Sequence, residues 1–296
     1  MPQPVRILTV DVEDWFHILD HGETATEGRW KQFDSRVDLM TTNLLDLFDR
    51  HKQRATFFVL GYIAHNHPEL IQEISRRGHD IGTHSHLHQL VYQQTPDEFE
   101  ADLIRSMNAI CRAGGKVPRS YRAPGFSITK HCTWAFDILH RNGIRVDCSI
   151  FPAQRAHGGL EDFPVSGPCL VQTEGGNVLR EFPLNVVNIG PKSVVFSGGG
   201  YFRMIPSTLL NILSSRSQYL MTYFHPRDFD PDQPIVPGLA PARRFKSYVG
   251  LGSSVTKLTK LLDEFEFMTV CEAEEITDWT RVKAISVVSS EAASVK

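Results

Sequence analysis

The chain has 296 residues, of which 41% are hydrophobic and 22% are charged, and its formal net charge is −3. These values are ordinary for a globular protein that buries a core, and the length fits one large α/β domain or two small ones. The weak negative charge, without a basic run, disfavours nucleic acid or an anionic membrane as a partner. No apolar run approaches the roughly 20 residues that a transmembrane segment requires.

The N-terminus and the cysteines indicate the cellular compartment in which the protein is expected. The first residues lack the basic region, apolar stretch and cleavage site of a secretory signal. The five cysteines are scattered and form no C-x-x-C pair, so neither a zinc knuckle nor a disulfide framework is indicated. We therefore expect a cytoplasmic protein with a single domain over residues 1–283. A flexible, Ser- and Ala-rich tail is expected over residues 284–296.

Strand and helix patterns alternate along most of the chain. Apolar, β-rich runs predict strands over 5–12, 55–60, 80–83, 119–122, 144–150, 218–225 and 267–271. Apolar residues at helical spacing predict helices over 38–51, 68–77, 129–141, 206–215 and 253–264. A further helix opens at Thr95, which forms a capping-box pattern with Glu98.

This alternation predicts an α/β fold with a parallel sheet, either open or closed into a (β/α) barrel. The reactive side chains fall at the carboxyl ends of the predicted strands: Asp11 to Asp14, His84 and His88, Arg122, Asp147 and His225. In a barrel these ends meet at one rim, whereas an open sheet places its site at a switch point. No G-x-G-x-x-G follows the first strand, which disfavours a nucleotide-binding version.

Between about residues 151 and 201 the alternation breaks down. This stretch is rich in glycine and proline, and it predicts an irregular insertion of β structure and loops over the rim. It is either a lid or substrate-recognition element, or a loop that only completes the fold.

His84 and His88 form an H-x-x-x-H pair, and the acidic cluster from Asp11 to Asp14 lies about seventy residues upstream. One carboxylate and two imidazoles make a three-ligand site with positions left for water and substrate, as a catalytic divalent metal needs. Alone the pair is weak evidence, because two histidines also occur on ordinary polar loops.

Five segments taken together are far more specific than the histidine pair. They are Leu8-Thr-Val-Asp-Val-Glu-Asp14, His84-Ser-His-Leu-His88, Arg122-Ala-Pro-Gly-Phe126, Val146-Asp-Cys-Ser-Ile-Phe-Pro152 and Thr222-Tyr-Phe-His-Pro226. Their order and spacing resemble the NodB-like polysaccharide deacetylases of carbohydrate esterase family 4, over about residues 5–275. The resemblance implies a distorted (β/α) barrel with about seven parallel strands. Details of the motifs resemble a branch associated with bacterial exopolysaccharide and surface-glycan gene clusters.

The resemblance also assigns roles to the first two motifs. Asp11 becomes the general base, and His84 and His88 become metal ligands. The commonest family pattern, T-F-D-D-G, has adjacent aspartates as base and ligand, whereas this chain has Glu13 and Asp14 after Asp11-Val. Either Glu13 or Asp14 is the carboxylate ligand, and the other is expected to be a capping or supporting carboxylate.

The remaining motifs supply three further residues. Arg122 resembles the arginine that pairs with the base and holds it in place. His225 resembles the general acid that protonates the departing amine, a role that suits an imidazole at neutral pH. Asp147 either orients His225, as its counterpart does in relatives, or caps the following turn through Ser149.

These assignments predict a metal-dependent hydrolase of non-peptide carbon–nitrogen bonds. It would remove an N-acetyl group from an amino sugar of a surface polysaccharide or its precursor. Alternatives are hydrolysis of a formamide or cyclic ureide at the same site, or an inactive glycan-binding relative. The expected cofactor is a divalent metal, foremost Zn2+, with Co2+, Ni2+ or Fe2+ as alternatives. The expected partner is an N-acetylated sugar or glycan, and the sequence leaves a homo-oligomer open.

Overall fold

The structure, a computed structural model, describes residues 4–153, 157–189 and 192–288. Its strands in these ranges are β1 (Val5–Ile7), β2 (Thr9–Val12), β3 (Thr56–Val59), β4 (Asp80–Thr83), β5 (Ser120–Tyr121), β6 (Val146–Asp147), β7 (Cys169–Gln172), β8 (Val178–Glu181), β9 (Val187–Ile189), β10 (Lys192–Val194), β11 (Tyr219–Met221) and β12 (Lys283–Ser286). Its α-helices are α1 (Glu27–Trp30), α2 (Val37–Arg50), α3 (Gly61–Asn66), α4 (Pro68–Arg76), α5 (Pro96–Arg112), α6 (Trp134–Arg141), α7 (Gly199–Met204), α8 (Ser207–Arg216), α9 (Pro241–Tyr248), α10 (Leu251–Glu264) and α11 (Val270–Ile276).

One mostly parallel sheet organises the molecule. Eight strands follow the order β12-β7-β8-β6-β5-β4-β3-β2, and the run from β8 to β2 is parallel throughout. Beyond β2, the strand β1 pairs in parallel with β11, and the amide of Asp11 donates to the carbonyl of Phe224 at 2.7 Å. The α/β prediction with a parallel sheet is therefore confirmed.

The predicted barrel is distorted, and among the described residues no backbone ladder closes it. The gap lies between β11 and the chain that follows β8. Side chains bridge this gap: Asn185 Oδ1 accepts from the amide of Met221 at 3.0 Å, and the Tyr219 hydroxyl donates to the carbonyl of Pro183 at 2.6 Å. The strands thus surround a common interior without a continuous ring of main-chain bonds.

The helices cover the outside of the sheet, which explains why the central strands read as uninterrupted apolar runs. All four residues of β3 are buried, as expected for a parallel strand with both faces covered. The long helix α5 begins as predicted, with Thr95 and Glu98 in a reciprocal capping box and proline at the first turn.

One predicted strand is the start of a helix in the structure. Residues 267–271 were expected to form a strand, but Thr269 and Glu272 form a capping box that opens α11. Only Met268 keeps a strand-like bridge, to Ile7. The apolar run was too short to separate a strand from the start of a helix by its pattern alone.

The irregular segment and the predicted tail both contribute to the sheet. Strands β7 and β8 form an antiparallel hairpin that extends the main sheet beyond β6, so this part of residues 151–201 completes the fold. The tail was expected to begin at residue 284, but residues 284–286 belong to β12, which pairs in parallel with β7. Residues 289–296 of the predicted tail lie outside the described residues.

No helix in the part of the chain that the structure describes combines the length and the apolar character needed to cross a membrane.

Candidate active site

The carboxyl ends of neighbouring parallel strands bring the distant sequence motifs together at one rim. Asp11 lies on β2, His84 follows β4 directly and Arg122 follows β5 directly. His225 comes four residues after β11, where Phe224 still bridges to β2. Because parallel strands point the same way, side chains at their ends share one edge of the sheet.

Glu13 and the two histidines form a compact cluster. Glu13 Oε1 lies 3.1 Å from His84 Nε2 and 2.9 Å from His88 Nε2, and all three side chains are buried. His84 Nδ1 lies 2.7 Å from the carbonyl oxygen of Arg122, which can only accept, so Nδ1 carries the proton. The lone pair of Nε2 is therefore directed into the cluster, as in histidines that ligate metals.

The loop that carries the histidines is held by the helix behind it. Ser85 and His88 have φ angles of 71° and 55°, in the left-handed region that side chains other than glycine rarely adopt. The Asp102 carboxylate on α5 accepts from the amides of His86 and Leu87 at 2.7 and 3.1 Å. These bonds fix the turn that presents both imidazoles on one side.

The donor set fits a divalent ion. Metal–nitrogen and metal–oxygen bonds of about 2.1 Å at tetrahedral angles separate ligand atoms by about 3.4 Å, within about 0.5 Å of the distances in the cluster. Burial raises the pKa of Glu13, but the charges of His88 and His225 outweigh it and hold that pKa well below its usual range. An anionic carboxylate and two imidazoles could therefore hold such an ion and leave positions for water and substrate.

Asp14 points away from this cluster. Its carboxylate accepts from the hydroxyl of Ser35 and from the amides of Trp15 and Arg36, at the N-terminus of α2. Burial raises the pKa of Asp14 in spite of these bonds. Of the two carboxylates that the sequence left open, the structure brings Glu13 to the histidines and makes Asp14 the cap of a helix.

Asp11 pairs with Arg122 inside the barrel. Arg122 Nη1 donates to Asp11 Oδ1 at 2.6 Å and to Thr9 Oγ1 at 2.7 Å, while Nε donates to the carbonyl of Cys148 at 3.3 Å. The guanidinium also lies over the ring of Phe58, at 4.3 Å from its centroid. Arg122 is completely buried, so these contacts hold the Asp11 carboxylate in one orientation.

His225 faces both carboxylates. Its Nε2 lies 3.9 Å from Asp11 Oδ2 and 3.8 Å from Glu13 Oε1, and its Nδ1 lies 2.9 Å from Asp228 Oδ2. Arg203 Nε approaches the other oxygen of Asp228 at 3.2 Å. Burial lowers the pKa of His225, but the charges of Glu13 and Asp228 and the Asp228 hydrogen bond raise it more, to about 9.

Asp228, and not Asp147, contacts and orients the imidazole of His225. Both oxygens of Asp147 accept from Ser149, from its amide at 3.1 Å and from its hydroxyl at 2.7 Å. This is the turn-capping alternative, and the expectation that Asp147 orients His225 does not hold in the structure. The signal for Asp228 was its position three residues after His225, the spacing of a capping box.

The fold and the site define an α/β protein with a candidate metal cluster at the ends of its parallel strands. Residues 24–145 match the family model described as polysaccharide deacetylase, and residues 148–274 match a domain of unknown function, DUF3473. The chain therefore carries a polysaccharide deacetylase domain joined to DUF3473, and the family resemblance is confirmed. His84 and His88 lie in the first match and His225 in the second, so the site draws on both, while Glu13 precedes the first match.

Relatives with known names share part of the chain. A peptidoglycan-N-acetylglucosamine deacetylase of Bacillus cereus is 32% identical over 105 residues, which cover 35% of this chain and 38% of the relative. A chitooligosaccharide deacetylase of a Bradyrhizobium species is 32% identical over 126 residues, which cover 41% and 55%. The matched region thus spans about half or less of these relatives' length.

A solved structure supports the fold. The crystal structure of a putative polysaccharide deacetylase from Mycobacterium smegmatis superposes with a TM-score of 0.62 at 20% identity and covers 93% of both chains. At this identity the likeness bears on the fold alone, and it extends across both matched segments.

Proposed function

We propose that this protein is a metal-dependent hydrolase that removes the N-acetyl group from an amino sugar of a bacterial surface polysaccharide or its precursor. The observation that carries the proposal is the convergence of three pairs or clusters at one rim: Asp11 with Arg122, Glu13 with the two histidines, and His225 with Asp228. The named relatives, which deacetylate peptidoglycan or chitooligosaccharide, support this substrate class.

Glu13, His84 and His88 would hold the metal ion. When bound, such an ion makes its water more acidic and polarises the carbonyl of the acetamide. Zn2+ is our choice because its usual ligands in catalytic sites are imidazoles and carboxylates. The proton on His84 Nδ1, donated to the Arg122 carbonyl, keeps this imidazole in the tautomer that can ligate.

Asp11 acts as the general base. Its Oδ1 is engaged by Arg122, and its Oδ2 faces the interior of the site toward His225, at 3.9 Å. This free oxygen takes a proton from the attacking water, while the buried guanidinium holds the carboxylate in its orientation.

His225 acts as the general acid. The hydrogen bond from Nδ1 to Asp228 leaves Nε2 facing the reacting centre, and this hydrogen bond and the charge of Asp228 raise the pKa of His225, which favours the protonated imidazole. Nε2 gives its proton to the sugar nitrogen as the carbon–nitrogen bond breaks, so the products are acetate and a free amine.

The place in exopolysaccharide synthesis belongs to this proposal as well. It follows from the branch of the family that the motifs resemble.

Acetate release from N-acetylglucosamine oligomers by the zinc-loaded protein tests the activity. The Asp11→Asn variant should keep its metal and lose roughly 10²-fold or more of the rate, because it loses only the proton acceptor. Asp14→Asn is the matched control, with the same chemical change outside the cluster, and it should retain the rate. A fully active Asp11→Asn variant would overturn the base assignment. An intact, metal-loaded protein without activity on any N-acetyl sugar would favour another carbon–nitrogen substrate or a glycan-binding role.

A further inference from the structure

Two carboxyl groups lie side by side in the interior of the sheet. Asp147 on β6 and Glu181 on β8 are directly paired in the parallel register, and neither is exposed to solvent. Among the described residues, no lysine, arginine or histidine forms an ion pair with either. Two negative charges without a counter-ion are strongly unfavourable at such a place, so the pair must hold one proton.

The hydrogen bonds show which group carries that proton. Both oxygens of Asp147 accept from Ser149, as an ionised carboxylate would. Glu181 Oε1 accepts from the amide of Ile150 at 3.1 Å, whereas Oε2 is buried without a partner other than the neighbouring carboxyl. A proton on Oε2 turns this orphaned oxygen into a donor to Asp147. Burial and the charge of Asp147 likewise raise the pKa of Glu181 well above its usual range.

The carboxyl pair controls the turn that supports Arg122. Ser149 Oγ donates to Asp147 and accepts from the amide of Ala123 at 2.8 Å. The carbonyl of Cys148, on the same turn, accepts from Arg122 Nε at 3.3 Å. The turn 148–150 is thus fixed on one side by the two carboxyl groups and on the other side holds the end of β5.

We propose that Asp147 and Glu181 share a single proton and act together as a positioning pair for Arg122, and through it for the base Asp11. This inference rests on the proposed function for its effect on the rate, but the arrangement of the pair stands on its own contacts. Neither carboxyl contacts His225 or the metal cluster. Their effect passes through the turn 148–150.

The variants Glu181→Gln and Asp147→Asn separate the role of the protonated Glu181 from that of the ionised Asp147. A glutamine keeps the acceptor for Ile150 and replaces the protonated oxygen by a donor, so Glu181→Gln should keep kcat within about threefold of the parent. Asp147→Asn removes one of two acceptors for Ser149 and frees the turn. Its kcat should fall roughly tenfold to hundredfold with little change in KM, because Arg122 and the base shift.

Asp137→Asn is the matched control for a variant that loses stability without an effect on the site. The Asp137 carboxylate accepts from Thr173, Gly175 and Asn177 at the β7–β8 hairpin, away from the rim. This variant should lower the melting temperature and leave kcat unchanged. If Glu181→Gln lost as much activity as Asp147→Asn, Glu181 would be ionised and the shared proton would be disproved.

Two readouts do not depend on deacetylase activity. The NMR signal of the Arg122 Nε–H, bonded to the Cys148 carbonyl, should be protected from exchange in the parent protein and in Glu181→Gln, and should lose protection in Asp147→Asn. The infrared spectrum of the parent should contain the C=O stretch of a buried carboxylic acid that Glu181→Gln lacks. Unchanged Arg122 protection in Asp147→Asn would overturn the positioning role, even if the protein had a different substrate.

Discussion

At the residue scale, two adjacent carboxylates point in opposite directions. Glu13 points into the rim beside the histidines, and Asp14 points outward to the start of α2. We therefore predict that Glu13→Gln loses its bound metal, because the only anionic donor of the triad is replaced by a neutral amide. Metal analysis of the protein after equilibrium dialysis against Zn2+ measures this loss.

The comparison variant is Asp14→Asn. It should keep the metal and lose little stability, because asparagine retains a side-chain oxygen that can accept from the amides at the start of α2. Metal analysis of the two variants gives the contrast, and thermal denaturation checks that both are folded. A metal-free Asp14→Asn protein together with a metal-loaded Glu13→Gln protein would reverse the assignment of the ligand.

The sequence alone left these two carboxylates undecided for a physical reason. Both come within two residues of the end of β2, and the turn that sends one inward is set by the distant N-terminus of α2. Asp228 was overlooked because the resemblance directed attention to Asp147. Glu181 could not be identified, since in the short run Val178–Glu181 a glutamate looks like a solvent-exposed strand residue.

At the element scale, the start of α3 packs against α5 and the histidine loop without room for a side chain. A Cβ on Gly61 would lie 2.3 Å from His86 Nδ1 and 2.6 Å from Ser106 Cα. We predict that Gly61→Ala is less stable by about 1–3 kcal/mol, since the backbone of α5 must move. It should also bind Zn2+ more weakly, because the loop between His84 and His88 moves with it. Chemical denaturation and zinc titration measure the two effects.

Gly28→Ala supplies the comparison within a helix. Nothing lies within 4 Å of a Cβ at Gly28 in α1, so alanine should be neutral or slightly stabilising there. Equal losses of stability in Gly61→Ala and Gly28→Ala would mean that helix propensity, and not the close packing at Gly61, determines the stability of the variants.

The elements that the sequence predicted well are those whose pattern is local. The run 55–60 and the amphipathic stretch 68–77 contain their own periodicity, and β3 and α4 occupy them. The strand β12 was missed because its pairing partner, β7, precedes it by more than a hundred residues. Such long-range pairing is invisible to a pattern read over ten residues.

At the scale of the whole molecule, the two matched segments share one sheet and one site. Strand β8, from the DUF3473 segment, pairs with β6, which lies between the two matches and pairs in turn with β5 of the first match. Strand β11, also from the DUF3473 segment, pairs with β1, which precedes the first match. We predict that a fragment of residues 1–147 does not unfold cooperatively and binds no metal, because β1 and β6 lose their neighbours. Calorimetry and metal analysis of the fragment test this.

The full chain, prepared in the same way, is the reference for that fragment. A fragment with a sharp melting transition and bound zinc would show that the deacetylase segment folds alone. Adding residues 148–296 in trans would then only be needed to supply His225, and acetate release would report its return.

The enclosure of Arg122 has one further consequence. Mobile ions weaken an ion pair most where water surrounds it, and at physiological ionic strength their screening length is about 8 Å. Exposed pairs such as Arg76 with Glu73 are open to this weakening, whereas the Arg122 guanidinium over the ring of Phe58 has no exposed surface. The ion pair between Arg122 and Asp11 should therefore depend much less on the salt concentration than the pairs at the surface do.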